Sequence, residues 1–127
     1  MILDFGGLRL VDGVPIYLQI IRYVKANIIS GRTVDGDEMP SRRVLSALLG
    51  VNPNTIQKAC RQLEEEGLIV SYAGAKSLIS VDERKKQEIL KEMGEEEAKN
   101  FIRLMKAMGL SLEDAVKLLY GLWENTD

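Results

Sequence analysis

A break at Gly50-Val51-Asn52-Pro53 separates two runs of helical periodicity within residues 39–67, MPSRRVLSALLGVNPNTIQKACRQLEEEG, and it constrains this chain more than any other feature. Ser41 carries a hydroxyl that can cap a first helix, and Asn52 an amide that can cap a second. Pro53 suits a first helical position, where the amide hydrogen it lacks would have no partner. Pro40 disfavours helical geometry in Met39, so the first helix is expected to begin at Ser41 or later. Leu45, Leu48 and Leu49 are expected to turn inward from it. At about 100° per residue, Ile56, Ala59, Cys60 and Leu63 share one face of the second helix, and Asn54, Gln57, Lys58 and Arg61 the other. This is a helix-turn-helix signature.

The outward face of the second helix carries amides and cations. Amides pair with an adenine edge, and Lys or Arg with guanine or phosphate, so the composition suits a helix lying in a DNA major groove. From Ser41 through Leu63 there is no acidic residue, while Arg42, Arg43, Lys58 and Arg61 are present. Arg42 and Arg43 fall in the first turn of the first helix, where cations oppose the macrodipole at a cost of up to about 1 kcal/mol. A phosphate partner accounts for that placement. The plainer alternative is an amphipathic surface helix, which is polar outside whatever it binds.

The net charge of −2 divides unevenly. Residues 1–81 hold nine Lys/Arg against eight Asp/Glu, and residues 82–127 hold eight against eleven, so the acidic surplus lies in the tail. A local basic patch and weak non-specific DNA binding are expected, because few phosphates are within reach of so few cations.

Residues 1–13 intersperse Ile2, Leu3, Phe5, Leu8, Leu10 and Val11 with glycine and aspartate, which suits a short strand or an extended arm. Pro15 opens a helix with Tyr17, Ile20, Ile21, Val24 and Ile28 at spacings of three and four, ended by Gly31. After Gly67, Leu68-Ile69-Val70-Ser71-Tyr72 and Ser77-Leu78-Ile79-Ser80-Val81 are β-rich runs around Ala73-Gly74-Ala75-Lys76, a hairpin. Following a helix-turn-helix, that hairpin is a wing.

Residues 82–108 form a long helical pattern, about 40 Å if continuous at 1.5 Å per residue. Leu90, Gly94, Phe101, Leu104, Met105 and Met108 fall on one broad face. Gly94 weakens it by about 1 kcal/mol relative to alanine. Gly109 ends the pattern, and Ser111-Leu112-Glu113-Asp114 resembles a capping box for a second helix, on which Leu112, Val116, Leu119 and Trp123 share a face, with Tyr120 at its edge. Two such helices cannot hide their stripes fully against each other. A second copy of the chain would complete the burial, so these ten positions are expected to form a homodimerisation module; folding back on the winged domain is the alternative.

One cysteine and no histidine leave no disulfide framework, no histidine-based nucleophile and no Cys/His zinc set. Cys60 faces inward and is expected to be an inert core thiol. Carboxylates lie only on solvated helix faces or in turns, so no enzyme is expected. Neither cofactor nor metal is anticipated, nor a dedicated small-molecule effector domain, because the tail is too short to enclose a typical pocket. No apolar run approaches about 18 residues, and MILDFGGLRL lacks a basic segment ahead of an apolar one, so a cytoplasmic protein without membrane association is expected.

Pro40-Ser41-Arg42-Arg43, the run Gly50 to Ala59 and Leu63-Glu64-Glu65-Glu66-Gly67-Leu68-Ile69 resemble the winged helix-turn-helix domain of GntR-type bacterial transcription regulators. The wording VNPNTIQKA is similar to the YtrA-like branch, whose members carry a short helical C-terminal part in place of a large effector domain. With the Pro15-Ile16-Tyr17 start, the resemblance covers nearly the whole chain. It implies DNA contact at the position of Arg43 and a wing glycine, matched by Gly74, approaching the minor groove. Several positions depart from the family pattern. The position of Arg42 is more often glutamate, Pro53 stands where many members have a base-contacting arginine, and Ala75 and Lys76 replace a basic residue and a second glycine.

The expected fold is therefore mainly α with a small β-hairpin wing: a winged helix-turn-helix DNA-binding domain over 1–81 and a two-helix dimerisation tail over 82–127. The expected function is a sequence-specific transcription regulator, a dimeric repressor on an inverted-repeat operator in double-stranded DNA. Asn54, Thr55, Gln57 and Lys58 would contact bases and Arg43 and Arg61 phosphates or flanking bases, with Arg42, Asn52, Gly74 and Lys76 completing the surface. The competing reading is a winged-helix module that offers the same face to a protein partner.

Overall fold

Helix α1 (Ile16–Ser30) buries Ile20, Ile21, Val24 and Ile28, the stripe its spacing predicts. Pro15 stands just outside as the N-cap, and Gly31, at φ 78°, ends the helix by donating its N–H to the Ile28 carbonyl. This computed structural model describes residues 1–72 and 76–127, which fall into two units, Met1–Leu90 and Lys91–Asp127.

Within the first unit, α2 (Arg42–Leu49) and α3 (Pro53–Glu65) begin at their predicted caps. Ser41 Oγ accepts from the Val44 N–H at 3.1 Å and Asn52 Oδ1 from the Asn54 N–H at 2.7 Å. Gly50, at φ 64°, turns the chain between them in a left-handed conformation that costs residues with a side chain more. Leu45, Ile56 and Leu63 are wholly withdrawn from water, with Ala59 and Cys60 beside them. One inward assignment needs correction: Leu48 is 56% exposed. The buried side of α2 is set by Leu45 with Ser46 and Leu49 half-buried, which centres it about 100° of rotation away from Leu48.

Strands β1 (Ile69–Tyr72) and β2 (Lys76–Ile79) pair antiparallel, with Ile69 opposite Ile79 and Tyr72 opposite Lys76. Lys76 thus belongs to the second strand. Gly74, assigned to the wing tip, lies outside the described residues along with Ala73 and Ala75. The N-terminal arm is extended and joins the hairpin through an intermediary. Leu3 N–H donates to the Glu38 carbonyl at 2.8 Å, and Met39 N–H to the Ser77 carbonyl at 2.9 Å. Leu3 and Phe5 enter the core, the Phe5 ring 5.2 Å from that of Tyr23.

Two lysines close this unit. Lys25 of α1 reaches Glu66 at 2.8 Å, and Lys85, in the first turn of α4 (Glu83–Ala107), donates to the Gly67 carbonyl at 2.7 Å and to Ser80 Oγ at 3.3 Å. Ile89 of α4 is buried.

The second unit holds the remainder of α4 and α5 (Leu112–Leu122). Helix α4 is helical through Gly94. The capping box at Ser111 is present in both directions: its Oγ accepts from the Asp114 N–H at 3.2 Å while an Asp114 oxygen accepts from the Ser111 N–H at 3.0 Å. Of its residues only Ala115 is buried; Leu112 is 80% and Trp123 72% exposed. Phe101, Met105, Leu119 and Trp123 line an open groove of about 680 Å³ between the two helices. Among the described residues, no helix is long and apolar enough to cross a membrane.

Candidate nucleic-acid interface

Burial of Ile56, Ala59, Cys60 and Leu63 fixes the rotation of α3 about its axis, and the opposite side is left to solvent. Asn54, Lys58 and Arg61 are exposed there, with Thr55 and Gln57 half-buried on the flanks. Asn52, placed among the contact residues by sequence, has its side-chain oxygen committed to capping the helix. Lys58 leans towards α1, its Nζ 4.0 Å from the centre of the Tyr17 ring, a cation–π contact that leaves the ammonium open on its other side.

A groove of about 550 Å³ lies between the start of α2, the flank of α3 and the hairpin, with Ser41, Arg42, Arg43, Cys60, Glu64 and Tyr72 among its lining residues. The two arginines leave α2 about 100° apart. Arg42 falls on the inner side with Leu45 and lies along the groove, its Nη2 3.8 Å from Glu64 Oε1. Glu64 is held in turn by the Ser71 hydroxyl of β1, which sits 3.1 Å from that of Ser77 across the hairpin. Arg43 is exposed at the groove's edge; among the described residues neither it nor Arg61 has an ion pair. On the wing, Lys76 meets Glu38 at 2.8 Å, and the hydrogen bond to this carboxylate raises the ammonium's affinity for its proton.

Glu64 and Glu38 are the residues that sequence reasoning missed. The acid-free stretch ends at Leu63, one residue short of Glu64. Seven residues beyond Gln57, Glu64 lies on the same flank of α3 two turns on, so a helical wheel carried past Leu63 would have placed a carboxylate beside the predicted contact residues. Burial pushes the Cys60 thiol above its usual pKa despite the nearby Arg42, so at neutral pH it keeps its proton, as expected of an unreactive core cysteine.

Against known proteins, residues 16–77 match the family described as bacterial regulatory proteins, gntR family. The chain is similar in structure to a GntR family transcriptional regulator from Listeria monocytogenes, with a TM-score of 0.80 and 31% identity over 88% of this chain and 98% of that one. This chain belongs to the GntR family. Within it, the transcriptional repressor YtrA of Bacillus subtilis (strain 168) is 42% identical over 66 residues, 52% of this chain and 51% of that protein, which supports the YtrA-like branch. The match thus spans about half the length of that relative. The GntR likeness extends to the AraR DNA-binding domain, solved in complex with operator ORX1, at a TM-score of 0.50 and 26% identity over 63% of this chain and 95% of that one.

Proposed function

We propose that this GntR-family chain is a sequence-specific DNA-binding transcription repressor that acts as a homodimer on an inverted-repeat operator. The observation that carries the reading is the outer side of α3, where Asn54, Lys58 and Arg61 stand open to solvent and Gln57 is half-buried at the flank, on a helix whose opposite side is locked into the core. Asn54, Thr55 and Gln57 read base edges, Lys58 joins them from the α1 side, and Arg43 and Arg61 anchor the backbone. The AraR domain's operator complex supports the same use of the fold here.

Leu104, Met108, Leu112, Val116, Leu119 and Trp123 leave the tail with more exposed apolar surface than a small unit can bury alone. With Leu90, Gly94, Phe101 and Met105 they form the surface that meets a second copy. Two α3 helices related by a two-fold axis would then read half-sites one helical turn, or a multiple, apart. Catalysis forms no part of this reading, and the protein works in the cytoplasm, where its DNA is.

Selection of duplex DNA from a random pool tests it. Enrichment of a palindrome is the expected result. Absence of enrichment at low salt rejects the reading in favour of a module that docks on protein.

A further inference from the structure

Four of the cations on the reading side sort into two classes. Arg43 and Arg61 have no ion pair among the described residues, whereas Arg42 and Lys76 each face a carboxylate of their own chain, Glu64 and Glu38. Glu64 stands out because of where it sits. It lies on the flank of α3 that carries Gln57, in the lining of the groove between α2 and the wing, and the Ser71 hydroxyl holds it there. A fixed carboxylate on a surface that must meet phosphate is unfavourable for binding unless it serves another purpose.

We propose that Glu64 is an internal counter-ion that competes with DNA phosphate for Arg42 and thereby suppresses sequence-independent binding. The inference rests on the DNA-binding function proposed above. At 3.8 Å, with the two side chains 44% and 35% exposed, the pair is loose enough to break. A phosphate brought into bidentate register with the guanidinium displaces Glu64; a passing phosphate on random DNA does not. Non-specific affinity arises almost entirely from phosphate neutralisation, so withholding one cation lowers it while leaving the operator contacts of α3 in place. The ratio of operator to random-sequence affinity is thereby raised.

The test is a fluorescence titration of random-sequence and selected duplexes over a range of salt, using the full chain and its Glu64→Gln, Arg42→Gln and doubly substituted variants. Glu88→Gln, at an exposed acid on α4, controls for net charge. Glu64→Gln is expected to bind random duplex about three- to tenfold more tightly and to steepen the salt slope by about 0.9, as one further phosphate contact requires. The gain should shrink below about twofold where Arg42 is already glutamine, since the two residues then act as a coupled pair. An equal gain with and without Arg42, an equal gain from Glu88→Gln, or no gain overturns the inference. If the unsubstituted chain binds no duplex at low salt, the DNA-binding reading falls with it; if it binds and Glu64→Gln leaves it unchanged, only the counter-ion falls.

Discussion

Arg42 and Arg43 are neighbours in sequence with different partners, because successive residues leave a helix about 100° apart. Arg43→Ala is expected to weaken binding to all sequences alike and to reduce the salt slope by about 1, as loss of a phosphate contact does. Gln57→Ala is expected instead to relax preference at one base position, by about 1–3 kcal/mol of discrimination. Repeating the random-pool selection with both variants separates these effects, and identical profiles would reject the assignment. Cys60 should react with iodoacetamide slowly in the folded chain and rapidly in denaturant, since its thiol is buried and protonated. The outward residues of α3 were legible from periodicity alone. The partner of Arg42 was not, because it depends on how α2, α3 and β1 pack, and the Arg42 to Glu64 contact spans 22 positions of chain.

Helix boundaries were legible because caps are local. Ser41, Asn52 and Ser111 each accept a backbone N–H two or three residues on, so the sequence window that specifies the cap contains both partners. Ser111→Ala is accordingly expected to cost about 0.5–2 kcal/mol, read from the loss of helicity or from Tm. The hydrogen bond from the Ser111 N–H holds the Asp114 carboxyl below its usual value of 3.8. A depressed acid contributes stability that is complete above its unfolded pKa and disappears as pH falls through the folded one. Between about pH 7 and pH 3, Asp114→Ala should therefore lose less Tm than the unsubstituted chain does. The arm was less legible. Leu3 and Phe5 have no periodic neighbours to announce burial, and the strand-like pairing through Glu38 joins segments more than thirty residues apart.

At the scale of the whole molecule, the charge asymmetry was plain in the sequence, but the extent of the first unit was not. It continues to Leu90, past the boundary at residue 81, because Lys85 is tied to Gly67 and Ser80 and Ile89 is buried. Those contacts are long-range, and a helical pattern running across them carries no mark of where packing stops. The tail's exposed stripe makes the largest-scale prediction. Trp123→Glu, at a side chain 72% exposed in the single chain, should give a monomer by light scattering with its fold intact. It should lose affinity for the inverted repeat while keeping that for an isolated half-site; an unchanged dimer would rule Trp123 out of the contact.

Helix α3 is divided lengthwise, with Ile56, Ala59, Cys60 and Leu63 serving cohesion on one side and Asn54, Gln57 and Arg61, the residues proposed for recognition, on the other. The two sets share no position. On the proposed reading, a lineage or an engineer can rewrite which promoter the helix prefers without renegotiating whether the chain folds, and libraries randomised at those three sites should yield new binding preferences at nearly constant melting temperature.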